Sequence, residues 1–510
     1  MKRFIYRFSP GVLHTFYERI EASPLGYRLA KGAFWSLAGS LISRGLGLLS
    51  AILVGRMLGK QEYGELGIIQ NTIGMFGTLA GFGMGLTANK YVAEFKRTDP
   101  ARAGRIIALA SATAWISSGI MAVVLVACGP WLSAKTLAAP QLGGLLQIGA
   151  FLLLFSGVNG AQTGALSGFE AFKRIAHINL ISGLLTFPFM VIGAWKWGVT
   201  GAVWGLIGSQ VANCAMSFLA VRTEAAGYRI PLRYAGCLSD LSLFWSFSLP
   251  AVLIGLMNSV AAWGTSALVV NQMGGYGDMG IYNAALRVKQ IPDAVLSMLI
   301  APVIPVLSEA FGSADHVSYQ KTLRLFLLMS TLTVVPISLV QVAAPELTLL
   351  PFGVEYQGRP SIVSCLMFYS ILGSLGLCIG YVLTTTNRVW LIWLLSIGFA
   401  VGQVLAAVAL VPRYAAAGYA ASQSLAYLVW LVPGVIVLYR SYPDAMRQAR
   451  WAGLALKSLS LFALCALGRF LLPFHWAIGL GLVSALAFIS LAFRSIHADL
   501  SPPKNSGAIS

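Results

Sequence analysis

The chain has 510 residues, of which 57% are hydrophobic and 10% charged, with a formal net charge of +18. So little polar surface excludes a soluble globule, and a mean hydropathy of +0.77 with repeated apolar runs fits a helical membrane protein. The cations are spread through loops rather than gathered in a groove, which argues for membrane topology and against a nucleic-acid partner.

Residues 1–32 interleave Lys2, Arg3, Arg7, Arg19, Arg28 and Lys31 with Phe4, Ile5, Phe8, Val12 and Leu13. The charges interrupt any signal-peptide core, and the mixture reads as an interfacial amphipathic segment on the cytoplasmic side. Fourteen spans are predicted, near 33–57, 66–89, 106–128, 144–168, 176–195, 199–221, 243–271, 280–310, 323–344, 361–385, 389–411, 416–439, 453–472 and 475–493. Their apolar runs do not alternate, so strands are excluded and the fold class is all-α and polytopic. Six spans form a first lobe (33–221), a basic linker follows (222–242), and six more form a second lobe (243–440). Spans 13 and 14 are an appendage within 441–495, and the tail 496–510, with its Ser501-Pro502-Pro503, is expected to be disordered.

Taking the N-terminus as cytoplasmic, alternate loops place 25 of the 35 Lys and Arg residues inside and 7 outside. Such asymmetry satisfies the positive-inside rule and supports an even span count with both termini cytoplasmic. The six cysteines are scattered, with neither disulfide nor zinc spacing, and no cofactor motif is present.

An internal echo organises the chain. Tyr63-Gly64-Glu65-Leu66-Gly67-Ile68 recurs as Tyr276-Gly277-Asp278-Met279-Gly280-Ile281, 213 positions later. Gly198-Val199-Thr200-Gly201-Ala202 recurs as Ala415-Ala416-Ala417-Gly418-Tyr419 at an offset of 217. Two echoes at nearly one offset predict a doubled six-helix unit whose halves run parallel, related by an axis along the membrane normal. Duplicated membrane units of this kind form transporters with a site at the repeat interface. The hexapeptides themselves are expected in turns, as hinges or caps of the 1–2 and 7–8 hairpins.

Ionisable residues inside spans mark candidate sites, because a central Arg costs roughly 3 kcal/mol to insert and normally faces protein or water. Arg44 lies in span 1, and Arg287, Lys289 and Asp293 lie in span 8. Arg44 reads either as a fixed interhelical hydrogen bond or as the wall of a water-filled cavity. Lys289 and Asp293 are four apart on one helix face, a spacing that equally allows them to pair with each other. Arg287 has no local acid, which makes it the better ligand. Helices following the two hexapeptides should approach across the pseudo-axis, so Arg44, Arg287 and Lys289 are predicted to line one cationic space suited to a phosphate. Asp293 and Glu309 are the candidates for ion or proton coupling. Asn71, Asn159, Gln162 and Asn258 are candidate sugar contacts, with bonding between helices as the competing role. No catalytic constellation is found, so the chain is not expected to be an enzyme.

Several stretches carry a family likeness: Leu53-Val54-Gly55-Arg56-Met57-Leu58-Gly59-Lys60-Gln61-Glu62-Tyr63-Gly64, Ala80-Gly81-Phe82-Gly83-Met84-Gly85, Gly280-Ile281-Tyr282-Asn283-Ala284-Ala285 and Pro305-Val306-Leu307-Ser308-Glu309. Over about residues 30–440 the chain resembles the Wzx-type polysaccharide or O-antigen flippases of the multidrug/oligosaccharidyl-lipid/polysaccharide exporter superfamily. The resemblance implies two six-helix lobes around a V-shaped cavity, and a polyprenyl-pyrophosphate-linked oligosaccharide flipped from the inner to the outer leaflet of a bacterial cytoplasmic membrane. It implies a polysaccharide polymerase and other assembly proteins as partners. A cation-coupled small-molecule or drug exporter and a lipid II flippase are the alternatives. Related lipid II flippases carry cavity arginines in helices 1 and 8, which Arg44 and Arg287 match. Their sodium-site acids in helices 7, 11 and 12 have no counterpart in this sequence.

Overall fold

A computed structural model describes residues 24–232, 237, 249–312, 316–386, 388–441, 443–448 and 450–500. Most of the expected interfacial segment, the linker beyond 232 apart from 237, and the tail from 501 lie outside them. Among the described residues every regular element is helical.

Three helices exceed fifty residues, and each reverses at a residue whose φ is positive. Helix α1 (Pro24–Ala80) turns at Gly59, with φ 71°. The turn brings Gly47 and Asn71, about 36 Å apart along a straight helix, to one cavity. After α2 (Met84–Phe95), α3 (Pro100–Trp131) and α4 (Gly143–Gly168), helix α5 (Phe172–Gly227) turns at Gly198, with φ 58°. Helices α6 (Leu249–Val270), α7 (Gly275–Gly312), α8 (His316–Ala343), α9 (Pro345–Leu349) and α10 (Pro360–Thr385) follow. Helix α11 (Val389–Ser441) turns at Ala415, with φ 49°. The chain ends in α12 (Pro443–Gln448), α13 (Trp451–Leu471) and α14 (Phe474–Leu500).

Nine described helices are long and apolar enough to cross a membrane. Counting both arms of the three hairpins, and adding α6 and the more polar α7, gives the fourteen expected segments. Small residues set how closely the arms approach: a methyl added at Gly201 would lie 1.9 Å from the Gly193 carbonyl oxygen, and one at Gly418 would lie 2.4 Å from that of Leu410. Turn and contact keep the same spacing in both halves, so the echo at offset 217 is a structural repeat.

Span 2 departs from its expected continuity. It breaks at Gly81–Gly83, where Phe82 and Gly83 have φ of 43° and 63°, and resumes as α2. The carbonyl of Ala80 freed by the break accepts a 2.6 Å hydrogen bond from Ser117 Oγ of α3. Lipid tolerates irregular backbone only where protein satisfies it in this way.

In the first half α1 packs along α5, and α4 packs on α3 and α5. In the second half α10 packs on α8 and α11, and α6 packs on α11. The halves meet where α1 lies against α6 and α7, while α13 and α14 pack on α8 and α10. The hexapeptides sit at the join, but as the opening turns of helical arms rather than in the connecting turns expected. Glycines three apart flatten one face of each arm, so backbone meets backbone. A methyl at Gly64 would come within 1.9 Å of the Tyr276 carbonyl oxygen, and one at Gly280 within 1.8 Å of that of Lys60.

Each half also reaches over the other's hairpin at this end. From the segment 132–142, the carbonyls of Thr136 and Leu137 accept from Asn271 Nδ2 (2.7 Å) and the Tyr276 hydroxyl (2.8 Å). From the segment 344–359, the Tyr356 hydroxyl donates to the Gly55 carbonyl at 2.8 Å, and Arg56 donates to the Pro351 carbonyl. Burial, and then the neighbouring Tyr63 and Glu355, push the Tyr356 phenol above its ordinary pKa, so it remains a donor. The two segments form reciprocal clasps that close one end of the molecule.

Candidate functional site

Just below the closed end, between the halves, lies a cavity of about 580 Å³. Its first-half wall is formed by α1 (Ser50, Gln70, Asn71) and Thr186 of α5. Its second-half wall presents Asn283, Arg287, Lys289 and Gln290 from α7, with Tyr369 of α10 and Gln423 of α11. No Asp or Glu is among the lining residues. A second compartment of about 610 Å³ continues from it between the first arm of α1 and α7. Its wall is mainly apolar, with Leu41, Leu48, Ile291 and Val295, and it carries Arg44 and Asp293. Gly47, Arg287 and Gln290 border both compartments, so a guanidinium stands at the junction of a polar chamber and an apolar vestibule.

The three expected cations therefore border one continuous space, but their surroundings differ. Arg44 is exposed in the vestibule. Lys289 is only 8% exposed; its Nζ lies 2.6 Å from Asp293 Oδ2 and 5.0 Å from the Tyr369 ring centre. Desolvating an ammonium is costly, and the carboxylate and ring face offset that cost. Arg287 donates across the interface to Gln70 Oε1 at 2.9 Å, and Tyr63 lines the same chamber. Gln70 is a neutral acceptor, so the positive charge of Arg287 is not cancelled by it.

The candidate sugar contacts separate. Asn71 lines the chamber and donates to Ser266 Oγ at 2.7 Å. Gln162 lines a small separate recess in the first half, beside Arg222. Asn159 and Asn258 line neither compartment, and each has a buried side-chain oxygen without a partner. Glu309 belongs to α7, but its side chain lies outside the described residues.

Sequence pattern alone does not single out Gln70, Asn283, Gln290, Tyr369 or Gln423. A usable signal exists for two of them, since Gln70 and Asn283 are 213 positions apart, in register with the hexapeptides. Behind the chamber the second half is neutral and hydrogen-bonded: the Tyr282 hydroxyl donates to Gln423 Oε1 (3.0 Å), and Gln403 Nε2 donates to Thr265 Oγ1 (3.2 Å).

Fourteen spans in two pseudo-symmetric halves, closed at one end over a central cationic cavity, define a multi-pass membrane carrier. The chain belongs to the polysaccharide biosynthesis protein family, whose model matches residues 29–311, over half its length. It is 24% identical over 369 residues to the lipopolysaccharide biosynthesis protein WzxC of Escherichia coli K12, covering 70% of each chain. It is also 24% identical to the lipid III flippase of the same organism, covering 56% of this chain and 69% of that one. Among solved structures it is similar to the lipid II flippase MurJ in an inward closed conformation, with a TM-score of 0.66 at 14% identity, covering 90% of this chain and 99% of that one. That likeness carries the fold.

Proposed function

We propose that the protein is a flippase for a polyprenyl-pyrophosphate-linked oligosaccharide, moving it from the inner to the outer leaflet of a bacterial cytoplasmic membrane by alternating access. The observation that carries this reading is the order of chemistry along the cavity. Such a cargo is sugar, then pyrophosphate, then hydrocarbon. The cavity is amide- and tyrosine-lined, then cationic at Arg287, then apolar between the first arm of α1 and α7. Arg suits the phosphate position because its planar fork gives two parallel charge-assisted hydrogen bonds. The family and the two named relatives support the same reading. In this scheme the lobes 33–221 and 243–440 rock against each other, both termini are cytoplasmic, the clasped end faces outward, and a polymerase receives the product.

The test is flipping of lipid-linked oligosaccharide in proteoliposomes. Losing one hydrogen-bonded charge is expected to lower the rate of Arg287→Ala about 10- to 100-fold, with partial recovery in Arg287→Lys. Undiminished flipping by Arg287→Ala would remove the phosphate role.

A further inference from the structure

The cavity cation is also part of the closed end. Arg287 belongs to the second half, yet its acceptor Gln70 belongs to the first, on the same helical arm as Tyr63, which also lines the chamber. Tyr63 is the tyrosine of the first hexapeptide, and its ring packs 6.0 Å from Phe352 and 6.2 Å from Tyr356 of the second-half clasp. Between the helical arms, the bonds from Asn71 to Ser266, Trp263 to Thr72 and Thr78 to Ser259 involve only neutral groups, while Arg56 reaches across the halves at the clasp itself. Arg287 thus joins the ligand chamber to the closure in one side chain.

We infer that Arg287 is a ligand-sensitive latch and that Gln70 is its positioning residue, standing in for the anion while the chamber is empty. The inference rests on the phosphate role proposed above. With no anion present, the guanidinium holds Gln70 and ties the second arm of α1 to α7 beneath the clasps. A pyrophosphate offers charged oxygens, which make shorter and roughly twofold stronger bonds than a neutral amide does. Arg287 therefore exchanges partners, the tie between the halves is lost, and the clasps can part. Cargo shifts the equilibrium because its bonds to Arg287 are better satisfied once Gln70 has moved away. An empty carrier stays closed at this end.

The pseudo-symmetry sharpens the assignment. Gln70 and Asn283 occupy matching positions, but Arg287 matches Gly74, so the first half carries no second guanidinium there. Asn283 Nδ2 is buried without a partner and presses on Gly67. One latch serves both halves.

The experiment reads amide hydrogen exchange in the clasp segments 132–142 and 344–359 of the full chain in nanodiscs, with inorganic pyrophosphate as the probe and chloride at matched ionic strength as the control. In the native protein, pyrophosphate is expected to accelerate clasp exchange about tenfold. Gln70→Ala should show that acceleration without pyrophosphate. Gln70→Glu pairs the latch with a permanent charge, so its clasps should exchange more slowly than native and ignore pyrophosphate. A merely structural role for Gln70 would make both variants faster, and that result overturns the latch. So does native exchange that pyrophosphate leaves unchanged. If wild-type proteoliposomes fail to flip lipid-linked sugar while Gln70→Glu still slows the clasps, the transport reading fails and the latch stands. Normal flipping, with clasp exchange in both Gln70 variants indistinguishable from native, overturns the latch and leaves the transport reading intact.

Discussion

Lys289 and Asp293 form one pair with unequal partners. The lysine is buried, whereas the aspartate side chain remains 39% exposed to the vestibule. Removing the aspartate leaves a largely buried ammonium without its carboxylate; removing the lysine leaves a carboxylate that water can reach. Asp293→Ala is therefore expected to destabilise the protein by about 1–3 kcal/mol, and Lys289→Met by under about 1 kcal/mol. Thermal unfolding in detergent ranks them, and an equal or larger loss in Lys289→Met would contradict the burial argument. The sequence disclosed this pair through its spacing, and Arg287 through its lack of a local acidic partner. It did not separate Asn71 from Asn159 and Asn258. All three are amides within apolar spans, and which face meets the chamber depends on helix rotation, which neighbours set. Gln70 was hidden for the same reason, being neutral and ordinary until Arg287 is seen opposite.

At the scale of elements, the turns of α5 and α11 show how a duplication drifts. The first copy keeps Gly198 where φ is positive; the second has Ala415 at φ 49° and ψ −126°, a region that L side chains rarely enter. Strain of this type is of order 1–3 kcal/mol, and glycine's extra unfolded freedom returns about 0.5–1 kcal/mol of it. Ala415→Gly should thus stabilise the protein by about 1 kcal/mol, raising its unfolding temperature, while Ala415→Val should lower it. A lower unfolding temperature for the glycine variant would show that the turn is not strained. Span count and hairpin order were legible from hydropathy and charge. The hexapeptide's place was not, because glycine marks both turns and close approaches. Only the partner backbone at Tyr276 and Lys60 decides which. The break at Phe82 was equally silent, since it depends on Ser117 reaching over from α3.

For the whole molecule, the drive for transport must agree with the charges present. In spans 7, 11 and 12 the polar residues that face one another are neutral: Gln403 donates to Thr265, and Gln423 accepts from Tyr282. A pyrophosphate leaving an inside-negative compartment instead releases about 2.3 kcal/mol per charge per 100 mV. Flipping in proteoliposomes is accordingly expected to quicken when an inside-negative potential is imposed, with no sodium or proton gradient. Indifference to potential combined with a strict need for an ion gradient would refute that drive.

The two halves also differ in size, because α13 and α14 are fastened to the second one. Trp451 Nε1 donates to the Leu375 carbonyl, and Phe368 packs 4.9 Å from Phe462. Lipid resists a wide raft of helices more than a narrow one. Eight spans moving as a unit meet more viscous drag than six, so in the alternating-access scheme proposed above the first lobe is expected to make the larger excursion, with the second as its keel.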